Sequence, residues 1–438
     1  MKRAVYGLCL TTLISALGAD WPQWRGPEFN GSSPEKGLPS KWSKETPAWA
    51  LPMSGPSAST PVVLGDHIFT STIDEQGKSL HALCLDRKSG KVLWNQKTGD
   101  GIAYDDKSNF SAPSPVAAED RVFFFYSNGT LVSFDHEGKE LWRRSITKDY
   151  GEFAFQWTFS ATPLLYKNRL YIEVLQRNQP VHGRGKSGAE SFILALDPAT
   201  GKTLWKQIRP SDAVAESLEA YSTPIPFQHA GREEILITGG DCITGHDPVT
   251  GKELWRWGTW NPGKISHWRL VPSPVAGGGV VLACAPKSDP VYAIKAGGNG
   301  NLNDSNIAWK SERNAVTADV PTPLFYDGDF FIQNESKRSI TRVAPADGKV
   351  KWTVELPGRK RYEASPTGAD GKIYTMDFAG NVVVVDASKG EVMNTMAMGE
   401  PGDDMARSSV VVAHGQLFIR TNKKLFCIGK DSSVALSK

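Results

Sequence analysis

Along most of this chain, apolar and polar residues alternate with a period of two in short runs. Examples are Val122-Phe123-Phe124-Phe125, Arg169-Leu170-Tyr171-Ile172, Lys372-Ile373-Tyr374-Thr375-Met376 and Gln416-Leu417-Phe418-Ile419. Glycine, aspartate and asparagine bound the runs, and alternation punctuated in this way predicts short strands joined by hairpins. One segment departs from the pattern. Arg209 to Ser217, with Ser211 and Asp212 near its start, predicts a capped short helical turn. The 42 Gly, 28 Pro and 14 Trp among 438 residues agree with many tight turns and argue against an all-helical fold.

Two phrases recur through the strand pattern. The first is an apolar residue and Asp, a short turn, Gly-Lys, two residues and Trp. It runs from Leu85-Asp86 to Trp94, from Leu196-Asp197 to Trp205 and from His246-Asp247 to Trp255. A shorter copy ends at Trp142, weaker ones end at Trp309 and Trp352, and a degenerate one runs from Val385-Asp386 to Met393. The second phrase, a small residue followed by Ser/Thr-Pro, opens each unit at Thr60-Pro61, Ser114-Pro115, Thr162-Pro163, Thr223-Pro224, Ser273-Pro274, Thr322-Pro323 and Ser365-Pro366. Its eighth copy, Arg407-Ser408-Ser409, lacks the proline. Successive starts lie 43 to 61 residues apart, the length of one four-stranded blade.

The predicted fold is therefore all-β, an eight-bladed β-propeller of four-stranded antiparallel blades. The last unit stops at Cys427-Ile428 without its Trp-bearing strand, whereas Pro47-Ala48-Trp49-Ala50-Leu51 carries a Trp without a preceding blade. An N-terminal strand supplied by those residues would close the ring and remove its open edges. A seven-bladed ring with a loose tail is the alternative. Trp49, Trp94, Trp142, Trp205, Trp255, Trp309 and Trp352 are expected to pack against neighbouring blades.

Residues 1–19 read as a signal peptide: Lys2 and Arg3, the apolar stretch Ala4 to Leu17, then Gly18-Ala19. Residues 20–438 are then a single propeller domain, exported to the periplasm or the extracellular space. No transmembrane segment is expected, because the apolar run is shorter than the ~20 residues a span needs. Loss of Lys2 and Arg3 with the leader lowers the net charge from +3 to +1, so bulk charge gives no reason to expect a nucleic-acid partner. Cys84 and Cys427 fall two positions before an Asp or its equivalent. Matching points on adjacent blades lie on the order of 11 Å apart, beyond the roughly 7 Å Cα limit of a disulfide, so buried thiols are expected.

Ala195, Asp197, Gly201 and Trp205 match in full the phrase Ala-x-Asp-x-x-x-Gly-x-x-x-Trp, and two more copies match with the first position changed. In these residues the chain resembles the pyrroloquinoline-quinone (PQQ) enzyme repeat. Trp21-Pro22-Gln23-Trp24-Arg25-Gly26-Pro27 is similar to the opening of exported bacterial propellers of quinone-binding-like type. The resemblance covers about residues 21–430 and implies the fold, but chemistry does not travel with a fold. It also implies what a quinone dehydrogenase would hold: PQQ over the ring centre with Ca²⁺, a catalytic Asp and, in many, a disulfide between adjacent cysteines. This sequence has no adjacent cysteines and no Cys-x-x-Cys-His haem site.

The segments ahead of each Ser/Thr-Pro should border the central funnel. They supply Asn109, Trp157, Glu219, Tyr221, His267, Trp268, Arg269, Asp319, Arg361, Tyr362, Glu363, Asp404 and Arg407 as candidate binding residues. Aromatic faces beside arginines and carboxylates suit a polar ligand or a protein segment, although the same charges could simply pair across the funnel. His246, His67 and His414 read as packed or solvated residues in turns. The Gly-Lys-Ser of the blade-three insert Gln176 to Ser191 lacks the upstream Gly of a phosphate loop. No transition-metal spacing is present. The preferred reading is a non-catalytic ligand- or protein-binding scaffold module of the cell envelope, similar in architecture to outer-membrane assembly propellers. Its expected partner is an envelope protein or a small polar ligand, and it is expected to be monomeric without a bound cofactor. The alternative is a PQQ- and Ca²⁺-dependent or other oxidoreductase with Asp319, Glu363 or Asp404 as base or metal ligand.

Overall fold

The computed structural model describes residues 19–430, so the expected signal peptide falls almost wholly outside the described residues. Eight antiparallel sheets succeed one another around a ring, each stepping outward from a short innermost strand. The first blade comprises Val62–Leu64, His67–Asp74, Ser79–Asp86 and Val92–Asp100. The next six occupy residues 116–145, 164–208, 225–257, 275–310, 324–355 and 367–397. The eighth combines Val411–Ala413, Gln416–Arg420 and Lys424–Ile428 with Trp49–Pro52, so that Trp49 lies opposite Cys427 and Leu51 opposite Leu425. The N-terminal strand thus closes the ring as the unpaired Trp49 predicted.

The repeated Asp, Gly and Trp act across blade junctions. In the first blade, Asp86 accepts hydrogen bonds from the Ser89 amide and hydroxyl at 2.7 and 2.6 Å, which shapes the turn. Gly90 then adopts φ +70°, and a Cβ there would lie 2.5 Å from the Trp49 ring of the eighth blade. Glycine is required by both the backbone angle and the close approach. Trp49 in turn donates its indole N–H to the Arg87 carbonyl at 2.8 Å. The same ring-on-glycine contact joins Trp94 to Gly138, Trp142 to Gly201, Trp205 to Gly251, Trp309 to Gly348 and Trp352 to Gly390. Trp255 is the exception, because the fifth blade has no Asp–turn–Gly. Its indole donates to Glu234 of its own blade at 2.5 Å, and the residues Gly300–Asn301 add a short parallel strand beside it.

The Ser/Thr of the opening phrase has a role that periodicity did not reveal. The Thr60 amide donates to the Ser114 hydroxyl at 3.0 Å, Ser114 to Thr162 at 3.1 Å, and Thr162 to Thr223 at 3.0 Å. The chain of bonds continues through Ser273, Thr322 and Ser365, and Ser409 donates to Thr60 at 3.0 Å. Seven blade-to-blade hydrogen bonds thus form a belt around the axis. A bond of this kind contributes about 1 kcal/mol, and the hydroxyl at this position supplies the acceptor.

At one end the ring is sealed by the segment that follows Ala19. Trp21 pairs with Val63, the Ala117 amide donates to the Pro22 carbonyl, the Gln23 side chain bonds Leu165, and Gly31 and Ser33 bond Gly368. With the Phe325 amide donating to the Asn30 carbonyl, innermost strands of five blades are bridged in this way. Arg25 lies beneath them, fully buried, and donates to the carbonyls of Pro323, Pro366 and Asn30 at 2.7, 3.0 and 2.9 Å. With no carboxylate in that set, burial lowers its guanidinium to about 9.

Of three local expectations, one is corrected and two are met. The helical turn predicted from Arg209 shrinks to a 3-10 turn at Ala215–Leu218. Arg209 is instead buried against the Gly239 and Cys242 carbonyls, and Ser211 bonds the Gly240 carbonyl, so tertiary partners outcompete the local cap. Cys84, Cys242, Cys284 and Cys427 are all buried and enter no disulfide. His246 is packed between the Gly251 carbonyl and the Thr244 hydroxyl, and burial lowers it to about 4.

Candidate binding funnel

In an antiparallel four-stranded blade, the loop into each innermost strand and the hairpin between second and third strands share one end of the ring. That end lies opposite the N-terminal seal. Seven sequence candidates line one cavity of about 240 Å³ there: Trp157, Tyr221, Arg269, Asp319, Arg361, Glu363 and Arg407. Asn109 and Asp404 face an adjoining cavity that shares Arg407 and Lys107. Asn109 shapes its own loop, its side chain accepting from Ser111 and donating to the Pro56 carbonyl. Asp404 is paired with Lys360 at 3.3 Å.

Four candidates do not line the funnel. Glu219 sits behind Tyr221, whose hydroxyl donates to it at 2.6 Å, and it is ion-paired with Arg177. Burial raises the Glu219 carboxyl and, with the adjacent carboxylate, carries the Tyr221 phenol well above its usual range. Trp268 joins the core with Trp257 and Trp260, and Tyr362 is buried with Leu324, Phe331 and Ile373, donating to the Pro357 carbonyl. His267 is exposed. For Trp268 and Tyr362 the physical reason is alternation: in extended chain, neighbours point to opposite sides, so Arg269 excludes Trp268, and Arg361 with Glu363 excludes Tyr362.

Two lysines of the funnel were not singled out from sequence. Lys107 lies two residues before the named Asn109, on a loop held by Asp105, which accepts from the Lys107 and Ser108 amides. Its ammonium lies 5.2 Å from the centroid of the Trp157 ring. Lys287 comes from a hairpin within the fifth blade, a class of loop that reading only the segments ahead of each Ser/Thr-Pro leaves out. Burial and the nearby Arg269 and Lys107 lower its ammonium, while Asp319 opposes the shift.

The cavity wall therefore carries five cationic side chains and two carboxylates. Both carboxylates are engaged. Glu363 accepts from Arg407 at 2.8 Å and lies 3.7 Å from Arg361, and Asp319 accepts the Lys287 amide at 2.8 Å with the ammonium 3.9 Å away. Arg361 also bonds Glu335 at 3.2 Å, and Arg269 lies 3.6 Å from Glu216, which also accepts the Trp157 indole. Beside the funnel, the blade-three insert folds back, His182 bonding Gln156, and closes a groove between Tyr104, Phe110 and Trp157.

PQQ with Ca²⁺ is the group the fold family implies. A calcium ion takes six to eight oxygen ligands, largely carboxylates and carbonyls. Among the described residues no three His, Cys, Asp or Glu side chains gather as a metal site, and the funnel carboxylates are bridged to cations. This donor set does not fit a calcium-bearing quinone.

The fold and the funnel define a repeat propeller of PQQ-like type. The chain belongs to the family described as outer membrane protein assembly factor BamB, which matches residues 40–178 and 189–434. It is 22% identical over 371 residues to a 1-butanol dehydrogenase (quinone) of Thauera butanivorans, covering 80% of this chain and 48% of the relative. It is 26% identical over 207 residues to a polyvinylalcohol dehydrogenase of a Sphingopyxis species, covering 44% of this chain and 27% of the relative. The chain thus spans half or less of the length of these relatives. Among solved structures, BamB from Moraxella catarrhalis superposes with a TM-score of 0.60 at 13% identity, over 88% of this chain and 99% of that one. A quinohemoprotein alcohol dehydrogenase from Comamonas testosteroni gives 0.66 at 12% identity, over 93% and 80%. These superpositions show a shared fold. No helix of the described residues is long and apolar enough to cross a membrane.

Proposed function

We propose that this chain is an exported binding propeller of the cell envelope, directed there by residues 1–19, whose funnel holds a negatively charged polar ligand or the acidic segment of an envelope protein. The observation that carries this reading is the funnel wall: five cations converge on one cavity, and both of its carboxylates are already bridged. Bridged carboxylates are poor bases and poor metal ligands, whereas Lys107, stacked on Trp157, has no acidic partner among the described residues and remains available for an anion. The family and the BamB superposition support a scaffold that works without turnover. The dehydrogenase relatives support the other reading, an oxidoreductase using the same funnel.

Calorimetric titration separates the two. A binding propeller takes up carboxylate-bearing probes, and Lys107→Ala or Arg269→Ala weakens them about tenfold each. Calcium-dependent binding of PQQ accompanied by dye-linked alcohol oxidation would replace this reading with the dehydrogenase.

A further inference from the structure

Below the funnel the axial shaft narrows into a second chamber of about 110 Å³. Trp24 of the N-terminal seal is its floor, and seven hydroxyl-bearing residues of the belt form its wall. These side chains are all more than nine-tenths buried, from Thr60 at 1% exposed to Ser365 at 7%.

Their hydrogen bonding is one-sided. Thr60, Ser114, Thr162, Thr223, Thr322 and Ser365 each accept a backbone N–H from a neighbouring blade. None of the six donates its own proton to a protein acceptor among the described residues. A hydroxyl carries one proton besides its acceptor lone pairs, and a buried donor left unused is destabilising. Six protons are therefore left for whatever occupies the chamber. A cation would turn its charge toward donors and sit beneath the five cations of the funnel. An anion accepts from the hydroxyls and is favoured by that same field. Glu363, which reaches the chamber wall, opposes an anion, but Arg407 and Arg361 bridge it.

We infer that the chamber is a binding site for a small hydrogen-bond-accepting anion of halide size, held by the belt hydroxyls above Trp24. Its hydroxyl donors belong to the repeat and not to the funnel loops, while Arg407 and Glu363 line both chamber and funnel.

The test uses the full chain crystallised in sodium bromide and, separately, in rubidium gluconate. An anomalous bromide peak inside the belt is expected, together with a rise in melting temperature in bromide over gluconate at equal ionic strength. A rubidium peak there, or only water with no bromide peak, would overturn the inference. Sodium formate as competitor separates a free halide from a carboxylate head group: displacement of bromide by formate shows that the site accepts both. Ala58→Asp sets a carboxylate on the wall shared by funnel and chamber, and should weaken bromide at least about tenfold. Ser160→Asp, on the same wall, serves if the first variant does not fold. A bromide peak retained in a folded variant counts against the site.

Discussion

The two ends of the axial shaft are built on opposite principles. At the sealed end, one segment from Trp21 to Ser33 satisfies the innermost strands through backbone bonds, and Arg25 spends its guanidinium on three carbonyls. At the open end, side chains from different loops meet as ion pairs around an open cavity. A charge at the sealed end is thus a structural component, costly to remove because it leaves buried carbonyls unpaired. A charge at the funnel borders an open cavity, as Arg361 at 46% exposed does, and can exchange partners, which is what reversible binding needs.

Substitution at each end can break this contrast. The largest effect is expected for Arg25→Ala, which should lower unfolding free energy by about 4 kcal/mol. Urea denaturation would show it, and a loss under about 1 kcal/mol would mean that the seal does not anchor the blades. Next comes Trp142→Ala, which removes one indole from its glycine platform and should cost about 3 kcal/mol. Met393→Ala, at the exposed outer strand of the degenerate seventh copy, should change little in the same assay. Arg361→Ala at the funnel should alter stability by less than about 1 kcal/mol while weakening anionic probes.

A buried carboxyl just beneath the funnel sharpens the contrast through pH. The Ser222 hydroxyl lies 2.7 Å from both the Thr238 carbonyl and a Glu173 oxygen. With one proton to give, it satisfies both contacts only if Glu173 is itself protonated and donates. Burial raises the Glu173 carboxyl to about 8, in agreement with that geometry. Because the folded state then holds a proton that the unfolded state releases above its ordinary value of 4.5, stability falls as pH rises from there to about 8. Burial of His246 acts with the opposite sign, adding stability as pH rises from about 4 to 6.5. Glu173 therefore stands out between pH 6.5 and 8. Chemical denaturation across that window should show a falling slope that Glu173→Gln flattens, and an unchanged slope would assign the proton elsewhere.

The blade count, the boundaries of the repeats and the closure by Trp49 were legible in the chain because each rests on a local pattern. Period-two alternation makes strands, Asp and Gly make a turn, and a Trp without a blade implies a blade without a Trp. Candidate funnel residues were legible only as segments. Their lining members were not, because alternation sends Trp268 and Tyr362 into the core while Arg269 and Arg361 face the cavity, and residue type alone does not set that phase. Lys287, the hydroxyl belt and the threading of Trp21 to Ser33 were settled by tertiary structure. They join residues of different blades, as when the Ser409 amide reaches Thr60, and only closing the circle brings such groups within hydrogen-bonding distance.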